Sequence, residues 1–322
     1  MKITVIGAGN VGTACTTEIA EKEIAEEIVL LDVNEGKTKG KALDIWEASA
    51  ILSFDTRVKG VSEDYSATAN SGVIVVTAGI PRKPGMSRDD LISTNAHIVK
   101  SVVENSVKYS PEAIFIVVSN PLDVMTYAAY LAAQPIKSSK VFGMAGILDT
   151  SRYKSFLAVE LNISPKSIHA ILMGGHGDSM VPLPRYTSVA GIPIREFISE
   201  EKLNEIIERT KKGGAELVNL MGTSAWYAPG AAAAQMVEAV VRNQKRIFPV
   251  CAGLNDEYGL KDMYLGVPVV LGKNGIEKII ELQLTKEELE LVHKSAREVK
   301  ELMKVLDDMN LFEKKFGDKN PI

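Results

Sequence analysis

Cysteine is nearly absent from this chain, with two thiols, Cys15 and Cys251, in 322 residues. They stand far apart and form no C-x-x-C pair, which argues against a disulfide framework and a thiolate zinc site, so both are expected to be small buried residues. Histidine is scarce too, with four in the chain. An excess of charge of one sign is also missing. The 37 basic and 41 acidic residues are interspersed and leave a net charge of −4, which gives neither a nucleic-acid surface nor a membrane surface. No uncharged apolar run approaches the ~18 residues needed to cross a bilayer. Lys2 leads straight into a strand pattern with no apolar leader, and the expectation is a cytoplasmic protein. What is present is ordinary globular material: 46% hydrophobic and 24% charged residues exclude a disordered or fibrous chain.

A chain of this length exceeds one hydrophobic core, so two closely joined subdomains are expected. The first half alternates β-branched runs with amphipathic stretches, the pattern of an α/β fold whose parallel sheet is buried on both faces. Six strands are read at Ile3–Ile6, Ile28–Leu31, Thr56–Gly60, Val73–Thr77, Ile114–Val118 and Val141–Phe142. Helices are expected near Val11–Glu21, Lys37–Ala50, Arg88–Lys108 and Val124–Ala133. After residue 145 the rhythm changes to a helix over Asp149–Glu160, a strand over Ile168–Met173, a Pro/Gly-rich ribbon over Val181–Pro193 and three further helical segments. The last begins at a capping box, Thr285 with Glu288, and spaces Leu289, Val292, Ala296, Val299 and Met303 by three and four residues.

The first strand runs into Gly7-Ala8-Gly9-Asn10-Val11-Gly12, a G-x-G-x-x-G pattern opening a helix, with Asp32 ending the second strand. Gly7 permits a tight turn, Gly9 lets the backbone approach a diphosphate, and Gly12 allows close helix–sheet packing. The helix N-terminus then offers free N–H groups and partial positive charge. Asp32 can accept from ribose hydroxyls and would repel the extra phosphate of NADP, so NAD is the expected cofactor.

Between Gly79 and Asp90 a Pro/Gly-rich loop carries Arg82 and Arg88 and ends in a second capping box, Ser87 with Asp90. Arg88 falls in the first helical turn, facing the positive end of the dipole, which needs compensation. The plain alternative is a pair of solvated arginines. Downstream, Asp149 and Arg152 share one helix face at a three-residue offset, an arrangement that is commonly a structural ion pair. His176 follows in Gly-Gly-His-Gly-Asp, among glycines just past a strand end. His97 and His293 lie in helical segments and His169 in a strand, as packed or solvated residues do. Oxidation of a secondary alcohol by hydride transfer requires a base, and histidine titrates in the right range. Asp149 can orient that ring and Arg152 can grip a substrate carboxylate as a bidentate fork.

Together, Gly-Ala-Gly-Asn-Val-Gly, Ala-Gly-Ile-Pro-Arg-Lys-Pro-Gly-Met-Ser-Arg, Val-Ser-Asn-Pro, Leu-Asp-Thr-Ser-Arg and Gly-Gly-His-Gly-Asp resemble the lactate/malate dehydrogenase family. The likeness is greatest to its lactate-dehydrogenase-like malate dehydrogenases, and it covers essentially the whole chain. It implies a Rossmann-type NAD-binding half, residues 1–143, and a mixed α+β substrate half, residues 144–322, with the site between them. His176 is similar to the family's proton donor and acceptor, Asp149 to its carboxylate partner, Arg152 to the arginine on the α-carboxylate and Arg88 to the lid arginine that polarises the carbonyl. Asn120 matches the asparagine near nicotinamide and substrate, and Thr223 and Ser224 resemble a polar stretch of the substrate pocket. The cofactor contacts implied are Gly7, Gly9, Asn10, Val11, Gly12, Asp32, Thr77, Gly79, Asn95, Val118 and Asn120. The resemblance also implies a homotetramer, with a homodimer second, and a place in the tricarboxylic acid cycle.

Arg82 occupies the family's selectivity position, where lactate enzymes usually carry a glutamine. With Arg88 and Arg152 it makes three cations, which fit a dicarboxylate. Leaving the distal carboxylate buried and unpaired would cost on the order of 3–5 kcal/mol. The expected activity is therefore reversible hydride transfer between (S)-malate and oxaloacetate, with lactate dehydrogenase the alternative enzyme. Two other readings remain. A nucleotide-sensing regulator leaves Asp149, Arg152 and His176 without a purpose, and an NAD-dependent glycosidase requires metal ligands, of which no cluster is seen around either cysteine.

Overall fold

The structure, a computed structural model, describes residues 1–81 and 85–313. The β-branched runs form β1 (Lys2–Ile6), β2 (Glu27–Asp32), β3 (Arg57–Ser62), β4 (Ser71–Val76), β5 (Ile114–Val117) and β6 (Val141–Gly143). Between and after them lie α1 (Asn10–Glu21), α2 (Glu35–Leu52), α3 (Arg88–Tyr109), α4 (Leu122–Ala132) and α5 (Gly146–Leu161). The six strands are parallel and pair in the order β3-β2-β1-β4-β5-β6, so the order reverses between β1 and β4. Ligands of such sheets bind outside the strand C-termini at this reversal. Every residue of β5, and all but one each of β1 and β4, is buried, as a sheet covered on both faces requires. Both capping boxes form. Ser87 Oγ accepts from the Asp90 amide at 3.0 Å and Asp90 Oδ2 accepts from the Ser87 amide at 3.1 Å, while Thr285 and Glu288 do the same ahead of the last helix.

The second half departs from expectation in two places. The strand read over Ile168–Met173 is divided, because its ends serve different sheets. β7 (Ile168–His169) and, further on, β10 (Ser188–Val189) and β11 (Ile192–Pro193) make a three-stranded sheet, whereas β8 (Leu172–Met173) pairs with β9 (Val181–Pro182). The helical segments are α6 (Glu200–Met221), α7 (Tyr227–Val241) and α8 (Lys286–Asp308). Between α7 and α8 lies an antiparallel meander that the sequence reading lacked: β12 (Arg246–Asn255), β13 (Lys261–Gly272) and β14 (Gly275–Ile279).

β12 joins the edge of β6, with Cys251 opposite Gly143, and turns six parallel strands into a nine-stranded mixed sheet. Pro249 and Pro268 disguise the meander, since proline argues against an inner strand. They face each other, so both missing N–H donors fall at one rung. Cys15 and Cys251 are fully buried, as expected. Among the described residues no helix is long and apolar enough to cross a membrane.

Candidate active site

The turn from β1 to α1 leaves no room for side chains at two of its glycines. Gly7 has φ +111°, and a Cβ there would lie 2.6 Å from Thr77 Oγ1; a Cβ on Gly12 would overlap the Gly7 carbonyl oxygen. Gly9 differs, with open space where its Cβ would stand. It is also the N-cap of α1 and supplies no side-chain oxygen, so nothing of its own covers the amides of the first turn. Asp32, ending β2, accepts from the Ala8 amide through Oδ2 at 2.6 Å and from the Asn34 amide through Oδ1 at 3.3 Å. An uncapped helix end for a diphosphate, clear space at Gly9 and a carboxylate at the β2 end fit a dinucleotide. Asn10 is exposed at the start of α1, and Val11 and Val118 face a cavity further in.

The chemical groups meet beyond the C-terminal ends of β5 and β6. Asp149, in the first turn of α5, is buried and divides its carboxylate: Oδ2 lies 2.9 Å from His176 Nδ1 and Oδ1 lies 3.3 Å from an Arg152 guanidinium nitrogen. The bond to Nδ1 leaves Nε2 as the ring nitrogen free to meet a substrate. Burial works most strongly against a charge on the ring, but the Asp149 charge, its hydrogen bond and the Asp123 charge together outweigh burial and the opposing Arg152. The His176 pKa is raised above the ordinary histidine value.

Two cavities open on this cluster. One, of about 500 Å³, is lined by Arg88, Asn120, Asp123, His176 and Glu298 among others. The other, of about 280 Å³, is lined by Val11, Val118, Asn120, Arg152, His176 and Ser224. His176 and Asn120 border both, so residues from the nucleotide turn, α3, α5 and the α6–α7 connection are brought to one place. Thr223 is exposed and borders neither. Arg88 begins α3 with Asp89 and Asp90 beside it, which compensates its position at the helix N-terminus. Arg82 lies outside the described residues.

Asn95 and Thr77 have internal partners. The buried Asn95 amide receives the Ile80 N–H at 2.8 Å and donates to the carbonyls of Ile80 and Asn120 at 3.1 and 2.6 Å, tying the foot of the Gly79–Asp90 loop to Asn120. The Thr77 hydroxyl lies 3.0 Å from the carbonyls of both Ile6 and Gly7. Gly79 packs against Asn95, with 3.2 Å between its Cβ position and Oδ1. The other three histidines stand apart from the cluster. His97 and His169 are exposed, and His293 Nε2 is 2.8 Å from the Tyr258 carbonyl.

Three residues escaped the sequence reading. Lys41 on α2 donates to the Ala8 carbonyl at 3.0 Å and to Thr13 Oγ1 at 2.9 Å, clamping the glycine turn, and burial lowers its pKa. Gly213 on α6 gives way to Arg152, whose Cδ a Cβ there would overlap. Asp123 on α4 is buried and accepts the His176 backbone N–H at 2.9 Å. Its signal was visible: it is the lone charge in the apolar sequence of α4.

A doubly wound nucleotide cradle opening onto a carboxylate–histidine–arginine cluster is the architecture of a nicotinamide-dependent oxidoreductase. Comparison with known proteins narrows the class. Residues 1–143 match the NAD binding domain of lactate/malate dehydrogenase, and residues 147–309 match the alpha/beta C-terminal domain of the same family. A malate dehydrogenase of Cytophaga hutchinsonii is 63% identical over 309 residues, 96% of this chain and 99% of that protein. The crystal structure of a Salinibacter ruber malate dehydrogenase superposes with a TM-score of 0.92 at 50% identity, covering 96% of this chain and 99% of that one. A Cryptosporidium parvum lactate dehydrogenase, in complex with lactic acid and nicotinamide adenine dinucleotide, superposes with a TM-score of 0.90 at 38% identity, covering 95% and 98%. The chain belongs to the lactate/malate dehydrogenase family and is an NAD-dependent oxidoreductase.

Proposed function

We propose that the chain is a malate dehydrogenase that interconverts (S)-malate and oxaloacetate, with His176 as general acid and base. The observation that carries this is the Asp149 carboxylate shared between His176 Nδ1 and Arg152 where two cavities meet. Asp149 fixes the ring so that Nε2 takes the malate hydroxyl proton, and it stabilises the imidazolium that results. Arg152 keeps part of its fork for the substrate carboxylate, and Arg88 closes over the larger cavity to polarise the reacting carbonyl. Asn120 and Ser224 border the substrate, and Asp32, the glycine turn and the residues around Thr77, Gly79, Asn95 and Val118 hold the cofactor. Bound NAD supplies the hydride acceptor and, reduced, the hydride donor. We divide these tasks between residues 1–143 and 144–322.

Malate is favoured over lactate on two grounds. The relatives at 50–63% identity are named malate dehydrogenases, whereas the lactate enzyme above stands at 38%. Arg82, in the substrate loop, supplies the third cation a dicarboxylate needs. Steady-state assays with oxaloacetate and pyruvate side by side test this: kcat/KM should favour oxaloacetate by at least about 10², the lower bound set by an unpaired buried carboxylate. A preference for pyruvate would make the chain a lactate dehydrogenase. We also place the enzyme in the cytoplasm and in the tricarboxylic acid cycle, as a homotetramer or, second, a homodimer.

A further inference from the structure

His176 belongs to a loop held by two helices through consecutive backbone amides. The Gly175 N–H donates to Ser295 Oγ of α8 at 2.8 Å, and the His176 N–H donates to Asp123 Oδ2 of α4 at 2.9 Å. Ser295 is neutral, so its bond only positions the loop. Asp123 can contribute a charge as well. Its second oxygen, Oδ1, is buried without an N–H or O–H partner, and the Cys251 thiol of β12 is a weak donor to the same carboxyl. A bare carboxylate oxygen kept out of water beside a histidine has that ring as its natural counter-charge.

We infer that Asp123 is a positioning residue of the reaction: its carboxylate sets the height of the His176 ring through the backbone bond and, together with Asp149, forms a second negative charge that holds the ring in its imidazolium form. This rests on the acid–base role proposed for His176. Asp149 of α5 meets the ring itself, Arg152 of α5 meets Asp149, and Asp123 of α4 meets the backbone N–H of His176, with Arg88 of α3, Glu298 of α8 and the adjacent Asp178 around the same cavity. Asp149 and Asp123 raise the ring's proton affinity, whereas Arg152 and burial lower it. Burial pushes the Asp123 pKa itself upward, and the His176 amide and charge pull against that. The two groups are therefore linked, each favouring the charged form of the other.

Asp123→Asn keeps an oxygen for the His176 amide and removes the charge. The ring pKa of His176 is read by NMR of ¹⁵N-histidine-labelled protein, assigned by its loss in His176→Asn, and kcat/KM for oxaloacetate reduction is followed against pH. The ring pKa should drop by about one unit, and the decline of kcat/KM should begin at correspondingly lower pH, with about a tenfold loss on the alkaline side. NADH affinity should stay unchanged and serves as the check of folding. A ring pKa that stays where it was would overturn the inference, whatever the change in kcat. A ring pKa that drops while the kcat/KM profile stays in place supports the charge coupling and removes His176 from the acid–base role instead. If Asp123→Asn does not bind NADH, Asp149→Asn carries the test. With that charge gone, a ring pKa at or above the free-imidazole value of about 6.5 upholds a second carboxylate, and one well below it shows burial unopposed.

Discussion

One carboxylate, Asp149, meets both the His176 ring and a guanidinium, and this contact bears on the protonation of the ring. The raised His176 pKa means that the imidazolium persists to higher pH than a free histidine allows. In the proposed mechanism oxaloacetate reduction consumes that proton, so its kcat/KM should hold on the acid side and fall as pH rises through the elevated value. Malate oxidation needs the neutral ring and should rise over the same interval. A bell centred elsewhere, with no limb moved by His176→Asn, would separate the ring from the chemistry. The same substitution should cripple both directions while NADH binding, followed by nucleotide fluorescence, survives. If Arg82 pairs with the distal carboxylate as proposed, Arg82→Gln should shift the ratio of kcat/KM for oxaloacetate and pyruvate toward pyruvate by about 10² or more, because an unpaired dicarboxylate end in a closed site costs on the order of 3–5 kcal/mol. An unchanged ratio would take specificity away from Arg82.

At the level of elements, the site depends on helices placed to the width of a side chain. Arg152 lies across α6 only because residue 213 is glycine. Gly213→Ala should therefore displace the guanidinium and raise KM for oxaloacetate by about tenfold or more, since angstrom-scale misplacement of a positioning group has large kinetic effects. NADH binding should be unaffected, because residue 213 packs on Arg152 and not on the glycine turn; a KM like that of the parent would show that Arg152 has another path. Much of this was legible beforehand. Contiguous β-branched runs gave β1 to β6 because a parallel sheet covered on both faces buries nearly every residue of its inner strands, and period-3.6 patterns gave their helices, which meet the core with one repeating face. Motif spacing led to Asp149, Arg152 and His176 because they sit on or beside regular elements whose geometry follows from sequence distance. Gly213 and Lys41 were missed for the opposite reason: each acts through a contact with a residue remote in the chain, and no local pattern reports such a contact; Asp123 stood out as the lone charge of α4, but its bond to the distant His176 amide did not.

For the whole molecule, the meander β12–β14 shows why the second half was harder to read. Its first two strands, β12 and β13, are long and mostly buried, but their pattern is broken by the facing Pro249 and Pro268, and the partner of β12, β6, lies over a hundred residues earlier in sequence. Long-range pairing decides their structure, so the chain forms one sheet across both halves. Ile51 on α2 is 82% exposed and Leu220 on α6 is 76% exposed, with Leu43, Trp46 and Met221 also open to solvent on these helices. Apolar side chains gathered on two helices are costly to leave hydrated and are common at subunit interfaces. If α2 and α6 meet a second copy of this chain, light scattering should give a mass of four chains of 34.9 kDa, or of two. Ile51→Asp together with Leu220→Asp should lower that mass, because a carboxylate buried in an apolar interface without a partner is strongly unfavourable. Both positions lie outside the His176 cluster, so a fall in mass should precede any fall in kcat as the protein is diluted; a wild-type mass of one chain would mean that these helices face water in solution.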